Sequence, residues 1–128
     1  MNVVENITYK VALLEDEPAH ALLIGYNIEF KGHSIEHFHT GKELSLEIDS
    51  SYDLIILSLD LSKENPVTIC QDIFFSGVEI PVLFVTTNSK QKEYNVSANY
   101  EILEKPFTLK ELGARIDKLL INNYVQRS

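Results

Sequence analysis

The sequence predicts an α/β fold, an open parallel sheet with helices on both faces. Three observations carry this. Short apolar runs rich in β-branched residues recur along the chain, longer amphipathic stretches separate them, and the two kinds alternate five times. Strands buried on both faces read as continuous apolar runs, and helical crossovers between them keep such strands parallel. At 128 residues the chain suits one core rather than two.

The elements follow in order. Val11-Ala12-Leu13-Leu14 is apolar throughout and breaks into Glu15-Asp16-Glu17-Pro18, a strand followed by a turn. Pro18 suits the first turn of a helix, whose apolar face is expected at Leu22, Leu23, Tyr26 and Phe30, ending at Gly32. Ser34 to Phe38 is more polar, as an edge strand would be. Thr40 to Ile48 carries Leu44 and Ile48 at helical spacing, and Leu54-Ile55-Ile56-Leu57 is the third strand. Pro66 to Phe75 carries Ile69, Ile73 and Phe74, with Gly77 as the stop. Val82-Leu83-Phe84-Val85 is the fourth strand; Ser89 to Ala98 is a short, mostly polar helix, and Tyr100 to Leu103 a fifth strand before Lys105-Pro106. In the last helix Thr108 caps, Glu111 completes a capping box, and Leu109, Leu112, Ile116, Leu119 and Leu120 form the buried stripe. The reading is one domain over residues 1–121 and a polar tail or linker stub over 122–128.

Composition narrows the function. Nineteen acids against eleven bases leave a net charge of −8, which argues against direct binding of nucleic acid or an anionic membrane. A single cysteine, Cys70, excludes an internal disulfide framework and fits a reducing compartment. No basic start followed by an apolar run marks a signal peptide, and no apolar stretch approaches the roughly 20 residues that span a bilayer. The expectation is a cytoplasmic domain.

In such a sheet, ligands sit beyond the carboxyl ends of the strands. The residues there are Glu15 and Asp16, then Ser58 with Asp60 two further on, then Thr86 and Thr87, then Lys105. Carboxylates hold hard cations, while hydroxyl and ammonium groups meet phosphate oxygens, so this is a phosphate-and-metal type of constellation. Elsewhere, His37 and His39 share one face of the second strand without a third ligand nearby, which reads as a solvated edge. His20 and His33 read as surface residues, and Cys70 as a small buried hydrophobe. Tyr94 and Tyr100 either mark a contact surface or cover a shortened helix.

These residues also carry a resemblance. Leu14-Glu15-Asp16-Glu17-Pro18, Tyr52-Asp53-Leu54-Ile55-Ile56-Leu57, Pro81-Val82-Leu83-Phe84-Val85-Thr86 and Lys105-Pro106-Phe107 resemble the successive signatures of response-regulator receiver domains, from about Tyr9 to Leu120. The resemblance implies a flavodoxin-like, doubly wound sheet of order 2-1-3-4-5. It implies that Glu15 and Asp16 stand where an acidic pair helps hold Mg²⁺, Thr86 where the switch hydroxyl stands, and Lys105 where a lysine contacts the phosphoryl group. It also implies a cis Lys105–Pro106 bond. At the family's phosphoacceptor aspartate this chain has Ser58, and at its switch aromatic it has Ile102. A serine hydroxyl needs a base to act as a comparable nucleophile.

The resulting expectation is an atypical receiver, or pseudo-receiver, in two-component signalling. It would act through protein contacts without conventional aspartyl phosphorylation and without enzymatic activity. With two acids facing one lysine, Lys105 is expected to pair with Asp16 or Glu15, leaving Mg²⁺ binding weak or lost and no cofactor. Asp60 is expected as a solvated loop acid; as a phosphoacceptor it forms the alternative reading, with a small-ligand or metal sensor as another. The resemblance places a protein partner or homodimer on the face made by the helix over 89–98, the fifth strand and the last helix. A histidine kinase or an output domain following the tail would be the partners.

Overall fold

A computed structural model of the chain describes residues 7–88, 94, 96 and 99–127, with side chains through residue 121. Five parallel strands, β1 (Lys10–Leu14), β2 (Ser34–Phe38), β3 (Leu54–Ser58), β4 (Val82–Thr86) and β5 (Tyr100–Glu104), lie in the order β2-β1-β3-β4-β5. This is the doubly wound sheet that the sequence predicts. The helices are α1 (Pro18–Phe30), α2 (Gly41–Glu47), α3 (Pro66–Phe75) and α4 (Leu109–Arg127). The helix expected over Ser89 to Ala98 lies outside the described residues, save Tyr94 and Val96. The last helix runs to Arg127, through residues expected as a polar tail.

Strand alternation divides the core into two layers. Val11, Leu13, Leu54, Ile56, Leu83 and Val85 face α1 and α4. Ala12, Leu14, Ile55, Leu57, Val82 and Phe84 face α2 and α3. Because successive side chains point to opposite faces, a strand covered on both sides must be apolar at every position. Strands β3 and β4 are buried at all five residues, whereas β2, with sheet on one side only, is mostly exposed.

Local chemistry sets the helix ends. Glu17 caps α1 by accepting the His20 N–H at 2.9 Å, with Pro18 opening the helix. Thr40 accepts from Glu43 N at 3.0 Å to start α2, and both Glu64 carboxylate oxygens take the Gly41 N–H, at 2.8 and 3.0 Å. Asn65 caps α3, and Thr108 and Glu111 exchange side-chain bonds across the first turn of α4 as a capping box. Gly32 and Gly77, at φ +85° and +95°, turn the chain out of α1 and α3.

The face of α1 differs from the expectation. Ile24, Asn27 and Ile28 are buried, while Leu22, Tyr26 and Phe30 point outward with 76%, 59% and 79% exposure. Apolar residues ring this helix, so its sequence does not select a phase. The sheet selects it, seating two isoleucines against β1 and α4 and leaving Tyr26 and Phe30 stacked on the outside with centroids 6.0 Å apart. In α4, Leu109 is likewise exposed, and the buried stripe is Leu112, Ile116, Leu119 and Leu120.

The phase is testable. Ile28→Ala is expected to destabilise the fold by about 2–5 kcal/mol, and Phe30→Ala to change it by no more than about 0.5 kcal/mol. Urea unfolding of both variants distinguishes the two faces, and equal losses would contradict this packing.

Candidate functional site

All the strand-end residues singled out in the sequence lie at one end of the sheet. Glu15 follows β1, Ser58 ends β3, Thr86 ends β4, and Lys105 follows β5 and is joined to Pro106 by a cis peptide bond. Glu15, Ser58, Thr86 and Lys105 are all buried. The register explains the convergence: Ser58 pairs with Val85 and Thr86 with Glu104, so these ends are level with one another.

Lys105 is the centre. Its Nζ lies 2.6 Å from Glu15 Oε1, with both side chains almost wholly out of solvent. It also lies 3.4 Å from Asp60 Oδ2 and donates to Ser58 Oγ at 3.4 Å. The expected pairing of Lys105 with one of the acidic pair is therefore met by Glu15. Glu15 Oε2 accepts the Glu17 N–H at 3.2 Å, which ties the same carboxylate to the start of α1.

Asp16 does not join them. It is exposed and turns toward Ser62, accepting its N–H at 3.2 Å and lying 3.3 Å from its hydroxyl. A divalent cation needs several converging oxygens. Here the ammonium stands against one carboxylate and the other carboxylate faces away, so the residues fit a cation poorly. Among the described residues no three His, Cys, Asp or Glu side chains are grouped to hold a metal.

Asp60 is the correction. It lies in the turn after β3 and is exposed as a residue, as a loop acid would be, but its side chain, 29% exposed, reaches back into the pocket rather than standing free in solvent. Thr86 Oγ1 donates to Oδ1 at 2.8 Å and the Thr87 N–H donates to Oδ2 at 2.8 Å, while Lys105 adds its charge. The Asp60 N–H in turn donates to Ser58 Oγ at 3.0 Å. Desolvation raises the pKa of this carboxyl, but the Thr86 hydroxyl, the Thr87 amide and the Lys105 ammonium outweigh it and hold the group below its ordinary value. The sequence signal was present: 58 and 60 share parity, and two threonines with an amine stand opposite. What it lacked was the turn at Leu59–Asp60, which folds the carboxylate back.

The remaining candidates have structural roles. His37 Nε2 lies 3.1 Å from the Glu15 carbonyl oxygen, to which it donates, and its ring lies 5.2 Å from that of His39. His33 is half-buried and accepts the Tyr9 N–H at 3.1 Å. His20 is half-buried too, 2.9 Å from Glu17. Expected at the surface, both are of intermediate exposure and are tied to neighbouring groups. Burial pushes the Cys70 thiol up to about 12, so it is no nucleophile at neutral pH. Ile102 packs in the α2 and α3 layer beside Tyr100, and Tyr100 forms an aromatic cluster with Phe84 and Tyr94, its hydroxyl accepting the Tyr94 N–H at 2.9 Å.

Residues 11–117 match the response regulator receiver domain family, and the chain belongs to it. It is 30% identical to the Synechocystis "DNA-binding dual master transcriptional regulator RpaA", over 87% of this chain and 48% of that protein. It is also 30% identical to "Response regulator ArlR" of Staphylococcus saprophyticus, over 87% and 52%. The chain thus spans about half the length of the full-length relatives it matches. A receiver domain from Bacillus halodurans superposes with a TM-score of 0.77 at 30% identity, covering 88% of this chain and 97% of that one. Response regulator receiver domains are signalling modules of two-component systems rather than enzymes, and they work with kinases and output domains. Among the described residues no helix is long and apolar enough to cross a membrane.

Two outcomes are expected from this geometry. Lys105→Met should cost about 3–5 kcal/mol, because it leaves the Glu15 carboxylate buried and unpaired. Adding Glu15→Leu should recover most of that loss in urea unfolding at neutral pH; no recovery would show that the pair is not the cause. For Asp60 the sign follows from its depressed pKa: its contribution is present above the unfolded value near roughly 3.9 and is lost as pH falls through the folded value. The stability gap between the natural chain and Asp60→Asn should therefore narrow on acidification below about pH 4, and a gap independent of pH would contradict it.

Proposed function

We propose that this chain is a pseudo-receiver, a two-component signalling domain that acts through protein contacts and is not phosphorylated in the conventional way. Ser58 carries the reading. The residue that ends β3, where the family's acceptor stands, has a hydroxyl wholly out of solvent. Its oxygen already accepts from Asp60 N and Lys105 Nζ. A hydroxyl needs a base to attack phosphorus. The nearest carboxylates are engaged, Glu15 by Lys105 and Asp60 by Thr86 and Thr87. The poor fit to a divalent cation supports the same reading.

The partner surface follows from the family likeness, on the face that includes β5 and α4. There Glu101 on β5 lies 3.4 Å from Arg115 and 3.2 Å from Lys118 on α4. Since the relatives are about twice the matched length and include transcriptional regulators, nucleic-acid contact belongs by this reading to an output region rather than to the receiver. The acidic balance of the chain agrees.

The alternative, phosphotransfer to Asp60, is favoured by the placement of its carboxylate in the pocket. Incubation with acetyl phosphate and Mg²⁺ separates the two. Intact-mass spectrometry is expected to find no phosphoryl adduct, and beryllofluoride with Mg²⁺ should leave amide spectra unchanged. A single hydroxylamine-labile adduct that disappears in Asp60→Asn would establish the alternative and overturn the pseudo-receiver.

A further inference from the structure

We infer that the Asp60 carboxylate is a tethered anion occupying the pocket's own oxyanion cradle, so that the domain is held permanently in one switch state without any transferred group. The inference rests on the reading above, in which Asp60 is not itself an acceptor.

Three donors of different kinds converge on this one carboxylate. They are the hydroxyl of Thr86, the amide of Thr87 and the ammonium of Lys105, at 2.8, 2.8 and 3.4 Å. A hydroxyl, a backbone amide and a lysine aimed at a single point are the donor set that holds a small oxyanion. Two of them come from the end of β4 and one from the end of β5, while Asp60 follows β3. The carboxylate therefore braces three neighbouring strand ends. It needs no partner concentration to stay there, because the turn after Ser58 supplies it at high effective concentration.

The brace reaches further through Thr86. Its hydroxyl has one proton and two acceptors in range, Asp60 Oδ1 at 2.8 Å and Asn88 O at 3.2 Å. The shorter, charge-assisted bond takes the proton. The oxygen is then free to accept the Asn88 N–H at 3.0 Å. Asp60 thus sets the rotamer of Thr86, and Thr86 fixes the turn that leads out of β4. A ligand can shift an equilibrium only by its differential affinity for the two states. A covalently supplied anion of this kind biases the switch at all times.

The test uses the 128-residue chain and inorganic phosphate as the probe, followed by amide and threonine-methyl NMR. The natural protein is expected to show no saturable response to phosphate, its cradle being filled. In Asp60→Ala the signals of Thr86, Thr87 and Asn88 should move, and phosphate should bind at least about tenfold more tightly, returning those signals toward their natural positions. Asp60→Ser, which keeps a small polar side chain but removes the charge, should behave in the same direction and serves if the alanine variant folds poorly. Unmoved Thr86 and Asn88 signals in both variants, or phosphate binding equal to that of the natural chain, would overturn the tethered anion. A phosphoryl adduct on natural Asp60 in the acetyl phosphate experiment would instead sink the pseudo-receiver reading, so the two failures are separable.

Discussion

A lysine ammonium removed from water must be met by opposite charge, and the site is organised around that requirement. Lys105 is buried between the ends of β3, β4 and β5, and Glu15 supplies the countercharge at 2.6 Å. The desolvation cost of such a pair is large, and geometry must be close for attraction to offset it. The parallel sheet provides the geometry, since its register brings the carboxyl ends of neighbouring strands level. Serine at 58 is consistent with this balance. A carboxylate at that position would place a third negative charge beside one ammonium already shared by Glu15 and Asp60, whereas a hydroxyl adds a dipole and no charge.

Much of the fold was legible because its signals are local. Continuous apolar runs identified the strands buried on both faces, and the polarity of Ser34 to Phe38 marked β2 as an edge. Pro18, Gly77 and the Thr108–Glu111 box marked helix ends through conformational and hydrogen-bonding preferences that need no neighbours. The phase of α1 was not legible. Leu22, Tyr26 and Phe30 form as good a stripe as Ile24 and Ile28, and only contact with the sheet and α4 distinguishes them.

The site divided in the same way. Which residues gather at the strand ends follows from topology and was readable in advance. Which of them touch is decided by one or two backbone turns. Asp16 and Asp60 exchanged their expected situations for this reason: one turned outward to Ser62 and the other inward to Thr86 and Thr87. An extended chain would carry Asp60 about 6.6 Å past Ser58, at ~3.3 Å per residue, but the chain turns at once after Ser58 and brings the carboxylate back. His37 in β2 and His39 just past its end show another limit. They read as a solvated edge and both are exposed, but spacing alone could not show that His37 donates to the carbonyl oxygen of Glu15 at the exit of the neighbouring strand.

The ion pair between Glu15 and Lys105 joins the first strand's exit to the last strand's exit, so it closes nearly the whole sheet. Such a contact cannot form until the intervening strands have found their places, and its loop-closure entropy opposes early formation. Interactions that arise after the folding transition state act on the unfolding rate rather than on the folding rate. The pocket's charge pair is thereby also a latch on persistence. It does little to guide the chain into its fold, and it lengthens the time the fold survives once made.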